Sequence, residues 1–262
     1  YGDSGNEIVS NSYGFRLRHA YGSMNGFLMG QTWTTFMDLA SVSELLDFSH
    51  HSSVIFARQA QLRYTKPLEN GKLMFAIENP HTLVNDNNEL PDLVARYDYN
   101  SSDKRTHASA ALLLRQLKNA DGDEETGAAI NLTGKFKIGS SGDSLALQVS
   151  HGALGRYMGL LAHSATQGSG DTFDTLDSTG VSIGYQHFWN KAVRSTLKFA
   201  ATDADEGTTL KGVQSVHANL LWNLSRELRL GVELQRKTYD FHAEDRPDVD
   251  LDRIQFSARY MF

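Results

Sequence analysis

Large apolar side chains alternate with polar or small ones along most of this chain. In the stretch Ala128 to Ile138, Ile130, Leu132, Phe136 and Ile138 fall on one parity, and Asn131, Thr133, Lys135 and Lys137 on the other. A period of two places these residues on opposite faces of a strand. The same reading predicts thirteen strands, at 11–23, 26–36, 53–66, 71–80, 92–100, 105–118, 126–138, 143–153, 178–189, 192–203, 210–223, 226–240 and 250–262. The best helical spacing runs from Met37 to Leu46, inside a connection. Connections predicted as short, such as 23–26 and 67–71, alternate with longer ones at 37–52, 81–91, 119–126, 154–177, 204–210 and 241–249. Such alternation gives the two ends of a sheet different surroundings, as in a transmembrane barrel with short periplasmic turns and longer outer loops.

Each strand carries one apolar stripe, as with Leu145, Leu147 and Val149, or Leu228, Leu230, Val232 and Leu234. In a soluble sandwich that stripe would face a core; in a barrel it faces lipid and the polar stripe lines a wet lumen. The last strand favours the barrel. Ile254, Phe256, Ala258, Tyr260 and Phe262 form an outward stripe ending on an aromatic, which looks like the signal read by the bacterial outer-membrane assembly machinery. Tyr97, Tyr99, Trp189, Trp222 and Tyr260 gather near strand ends, as an aromatic girdle does. The longest uncharged apolar run, about Ala108 to Leu114, is too short for a membrane-spanning helix. The expected fold is therefore all-β, an antiparallel transmembrane barrel forming a single domain over 1–262.

Composition narrows the chemistry. There are no cysteines among 262 residues, which excludes disulfide scaffolds, thiolate metal sites and cysteine nucleophiles. A net charge of −6 argues against a nucleic-acid partner. The charges are unevenly placed. Many of the 31 acids sit in the long connections, including Asp38, Glu44 and Asp47 in 37–52. The bases Arg16, Arg18, Arg63, Arg96, Arg115, Lys135, Lys137, Arg194, Lys198, Arg229, Lys237, Arg253 and Arg259 occupy strands, on the parity opposite the apolar stripe. Only Glu78, Asp98 and Glu233 are expected beside them. A negative protein thereby acquires a positive lumen, which concentrates anions and speeds their entry. Arginine forks bind carboxylates, and a ladder of them keeps every contact weak enough to release. The acids of 37–52 are expected to face Arg16, Arg18 and Arg63 across a narrowing. Arg58 breaks the parity of its strand and receives no role.

Signs of catalysis are poor. The chain lacks a Gly-x-Ser-x-Gly elbow, a P-loop and a dinucleotide fingerprint. His50-His51 and His151 are isolated, and Asp121-Gly-Asp-Glu-Glu125 has only part of a calcium loop's pattern. No catalytic residue, resident metal or cofactor is expected. The competing reading is a barrel serving as enzyme or adhesin. The first lacks a nucleophile–base pair, and the second would need longer loops.

Phe15-Arg-Leu-Arg-His-Ala-Tyr-Gly22, Gly30-Gln-Thr-Trp33, Phe36-Met-Asp38, Arg58-Gln-Ala-Gln-Leu-Arg-Tyr64, Ala76-Ile-Glu-Asn-Pro80, Pro91-Asp-Leu-Val-Ala-Arg96 and Leu114-Arg-Gln-Leu117 follow in an order that resembles the DcaP-like family of trimeric outer-membrane porins. The resemblance implies a bacterial outer-membrane location, a sixteen-stranded barrel, a homotrimer, contact with lipid and lipopolysaccharide, and passage of small anions such as dicarboxylates. It also implies a third outer loop folded into the pore, and counting strands back from Phe262 makes 37–52 that loop. Thirteen strands then imply that the first three lie outside this sequence.

Overall fold

The computed structural model describes residues 17–47, 52–80, 88–158, 164–243 and 245–262. Fifteen strands occur among them: β1 (Ala20–Met24), β2 (Phe27–Trp33), β3 (Arg58–Leu68), β4 (Gly71–Glu78), β5 (Asp92–Asn100), β6 (Thr106–Lys118), β7 (Glu124–Lys137), β8 (Ser144–Gly152), β9 (Thr166–Gln167), β10 (Asp174–Thr175), β11 (Ser178–Phe188), β12 (Val193–Ala204), β13 (Leu210–Asn223), β14 (Leu228–Phe241) and β15 (Val249–Tyr260). Thirteen of them form one antiparallel sheet in chain order, and β9 and β10 pair separately within a connection. The sheet is the thirteen-strand meander expected from the alternation. Its two ends are β1 and β15, which pair only with β2 and β14 among the described residues.

Parity decides what every strand residue meets. On β7, Ile130 and Leu132 point outward at 43% and 48% exposure, while Ala129 and Asn131 between them are buried. Phe256 is 80% exposed on β15, whereas its neighbour Gln255 turns inward and donates to the backbone oxygen of Leu46. An outward apolar band of this kind, on a sheet with a polar inner face, suits a hydrocarbon surround and not water. Tyr97, Tyr99, Trp189, Trp222 and Tyr260 are all exposed and sit at one rim, beside the 101–105, 189–192 and 224–227 turns and the last strand's end. A two-residue turn at that rim, Asn25-Gly26, has φ of 50° and 85°; two positive φ values match the twist of the strands it joins.

Three expectations about connections need correction. Sides alternate, but lengths do so less strictly: 119–123 and 205–209 are shorter than 138–143 at the opposite rim. The inward connection is longer than 37–52, since β2 ends at Trp33 and β3 begins at Arg58. Its helical spacing yields only a 3-10 turn, Leu39–Ser41, with the Asp38 side chain accepting from the Ala40 amide. Elsewhere along its described residues, polar groups of the connection are held one by one by the wall.

This connection folds inside the sheet over an apolar cluster. Phe36, Met37, Val54 and Ile55 pack with Leu154, Tyr157 and Met158 from the 153–177 connection, against the inward Ala76, Val94, Ala111, Leu113 and Ala129. The Ala108 to Leu114 run now has a reason. Leu112 and Leu114 face outward, while Ala111 and Leu113 take the packed loops, so both faces of β6 are apolar at this level.

Candidate functional site: a loop clasped across a basic lumen

The inward connection is fixed to the wall at three points, each made by one of its acids. Asp38 is 2.9 Å from Arg96 Nη2, 3.0 Å from His107 Nε2, and accepts from Ser41 and Thr133. Burial raises the Asp38 pKa, but His107, the charge of Arg96 and the two hydroxyls outweigh it and hold the carboxyl well below its usual range. Arg96 also binds Asp98 through two nitrogens and donates to the backbone oxygens of Thr35 and Met37. Asp38, Asp98 and His107 bring ligand-type atoms within 4.8 Å of one another, yet the Arg96 guanidinium already supplies the cation there.

Glu44 makes the second clasp, on the far side of the sheet. It takes a two-nitrogen fork from Arg194, at 2.7 Å each, and a third contact of 2.9 Å from Arg229. Here too burial raises the pKa, and the Arg194 and Arg229 contacts with Gln186 outweigh it. Asp47 makes the third: it accepts from Gln235 at 2.8 Å and lies 3.4 Å from Lys237 and 3.3 Å from Arg253. Between the last two clasps, the buried carboxylate of Glu233 accepts from the Leu46 and Asp47 amides. Ser52 then donates to the Val213 oxygen, Gln148 holds the Ser53 oxygen, and the Phe56 amide donates to the Tyr157 oxygen. The loop is thus stretched from β5–β7 to β12–β15 and back to β8.

A fourth polar group fastens the two inward connections to each other. Glu78 accepts from Thr34 and Gln59 side chains and from the Thr35 amide, and Asp92 takes Arg115 at 3.1 Å and the Tyr157 hydroxyl at 2.9 Å. Asp92 was not expected on the inner face; its place at the very start of β5 hid it, because parity is hard to assign at a strand end.

The predicted bases separate into distinct classes. Arg96, Arg115, Arg194, Arg229, Lys237 and Arg253 are ion-paired, four of them buried. Among the described residues the loop acids Asp38, Glu44 and Asp47 pair directly with Arg96, Arg194, Arg229, Lys237 and Arg253, and Asp38 also lines one cavity with Arg63. Arg16 lies outside the described residues, as do His50 and His51. Arg18, Lys137 and Arg259 are exposed and Lys135 is half-buried. Lys198 is 1% exposed. Arg58, given no role, stacks its guanidinium 3.6 Å over the Trp33 ring. His151 is exposed beside Thr179 and Asp177, and Asp123 of the acidic turn accepts from the Gly170 amide.

Arg63 differs from the paired bases. It is half-buried, has no ion pair among the described residues, and lines a cavity of about 690 Å³ with His19, Trp33, Asp38, Lys72, Arg96 and His107. This cavity lies on the short-turn side of the first clasp.

Comparison with known proteins agrees with this architecture. The solved outer membrane channel DcaP of Acinetobacter baumannii superposes with a TM-score of 0.84 at 24% identity, covering 94% of this chain and 75% of that one. An anion-selective porin from Comamonas acidovorans gives 0.63 at 11% identity, covering 90% and 74%. OmpT of Vibrio cholerae gives 0.56 at 13%, covering 89% and 75%. No curated protein sequence matches the chain. The model of the DcaP outer membrane protein family matches residues 1–262. An outward apolar band, a polar lumen and a loop clasped within it thus meet a family match over the entire sequence, and the chain belongs to the DcaP outer membrane protein family, a porin of the bacterial outer membrane.

Proposed function

We propose that the protein is a passive channel selective for small anions, dicarboxylates among them, working as a homotrimer with its apolar band against lipid and lipopolysaccharide. The observation that carries this reading is Arg63, without an ion pair among the described residues, in the cavity below the clasped loop. Both carboxylates of that cavity, Asp38 and Asp98, are engaged by Arg96. Among the described residues no carboxylate lies within ion-pair distance of Arg63, so an entering carboxylate can take that contact.

The register adds a second station. Arg63 pairs with Ala76, and Lys72 lies four residues along β4 toward the short-turn rim, a separation of about 13 Å at strand rise. Lys72 is 46% exposed and only 3.5 Å from Asp98, a loose contact. A short dicarboxylate passes from one to the other in steps, and partly hydrated contacts of about 1–3 kcal/mol select it without trapping it. Phe262, exposed after the last strand, is the residue offered to the outer-membrane assembly machinery, and its deletion should lower the amount of folded protein reaching the membrane.

Arg63→Ala should move the reversal potential in a salt gradient toward neutrality and weaken current block by a four-carbon dicarboxylate. Unchanged anion preference together with unchanged block would refute the reading.

A further inference from the structure

We propose that a single monatomic anion, a chloride-type halide, binds between Lys198 and the hydroxyls of Ser43 and Ser182 and fixes the inward loop to the β11–β12 wall. The site is separate from the Arg63 cavity and does not depend on what the channel transports.

Lys198 stands on the inner face of β12, opposite Gly184 of β11 and His217 of β13. It is 1% exposed, and among the described residues it makes no hydrogen bond or ion pair. The other buried bases Arg96, Arg115, Arg194 and Lys237 each have a carboxylate. A buried ammonium without a counter-charge is strongly disfavoured.

The neighbouring acids are committed elsewhere. Glu233 is 3.2 Å from His217 Nδ1 and accepts from Asn219 and two loop amides. Glu44 holds Arg194 and Arg229. The chain carries no acid between Asp47 and Glu69, so the return half of the loop has none to offer.

Two buried hydroxyls lie at this level of the wall, Ser43 beside the Lys198 stem at Gly184 and Ser182 two residues along β11 from Gly184. Ser43 Oγ, from the loop, and Ser182 Oγ, from β11, are both buried without a hydrogen-bond partner. Gly184 is what lets the loop approach. A Cβ there would come closer than 3.0 Å to both Ser43 Oγ and Lys198 Cδ, so the missing side chain is the space in which loop and lysine meet. An ammonium with three donors and two hydroxyls free to donate form a set that a spherical anion accepts from every side. All three side chains are less than one-tenth exposed, so an anion held there is shielded from bulk water.

The test uses the intact protein in mild detergent. Crystals grown in bromide should give an anomalous peak between Lys198 and Ser43. The melting temperature should rise saturably, by a few degrees, when chloride or bromide replaces gluconate at constant ionic strength. Lys198→Met keeps the stem and removes the charge, and it should abolish that rise; Ser43→Ala should reduce it. Absence of the wild-type peak overturns the proposal even if the variant fails to fold. A peak whose halide-dependent stabilisation survives in Lys198→Met marks an adventitious ion only, and overturns it equally.

Discussion

Replacing Glu44 by Gln separates the mechanical and electrostatic consequences of the clasps. The amide keeps the side chain's shape and one acceptor oxygen, but removes the charge that binds Arg194 through two nitrogens and Arg229 through a third. Hydrogen bonds to charged groups contribute about 1.5–3 kcal/mol each. Glu44 retains 37% exposure of its side chain, so water screens part of that. A net loss of about 2 kcal/mol is expected for the clasp as a unit. That corresponds to roughly a thirtyfold shift in the ratio of attached to detached loop. Asp38 and Asp47 still hold the loop on either side, so the loop should fluctuate without leaving the lumen. Single-channel recordings should therefore show more frequent brief current excursions. The reversal potential should also move toward stronger anion preference, because two guanidinium groups lose their carboxylate. A Glu44→Gln channel with wild-type gating noise and wild-type selectivity would refute the idea that the clasp holds the loop and masks the wall.

Acid should loosen the loop late. Asp38 and Glu44 have folded pKa values below their unfolded ones, so their stabilisation is complete above the ordinary carboxylate range and is lost as pH falls through the lower folded values. Gating noise should stay constant down to about pH 4 and rise only below it; a rise already at pH 6 would contradict this assignment. Arg115→Met should destabilise by about 3–5 kcal/mol because it leaves the buried Asp92 unpaired, and adding Asp92→Leu should restore much of the loss. Melting temperatures of the single and double variants check this, and a double variant no better than the single would count against it.

The sequence by itself determined the strands and which way their side chains point. Both follow from alternation between adjacent residues, and the structure returns all thirteen members of the sheet in chain order. The inward connection was legible too, as the one with helical spacing. Its course was not. Asp38 meets Arg96 across 58 residues, Glu44 meets Arg229 across 185, and Asp47 meets Arg253 across 206. Parity assigned those bases to the inner face, but every one of them shares that parity, so nothing local selects a partner. The helical spacing of Met37 to Leu46 likewise lost to tertiary bonds that draw its polar groups to opposite walls. The apolar Ala108 to Leu114 run carried the one local trace of the packed lumen, since both of its faces are covered. Side-chain direction is a property of neighbouring dihedrals and is written locally; the neutralisation of one charge by another depends on how the curved sheet brings distant strands around the loop, and only the tertiary structure decides it.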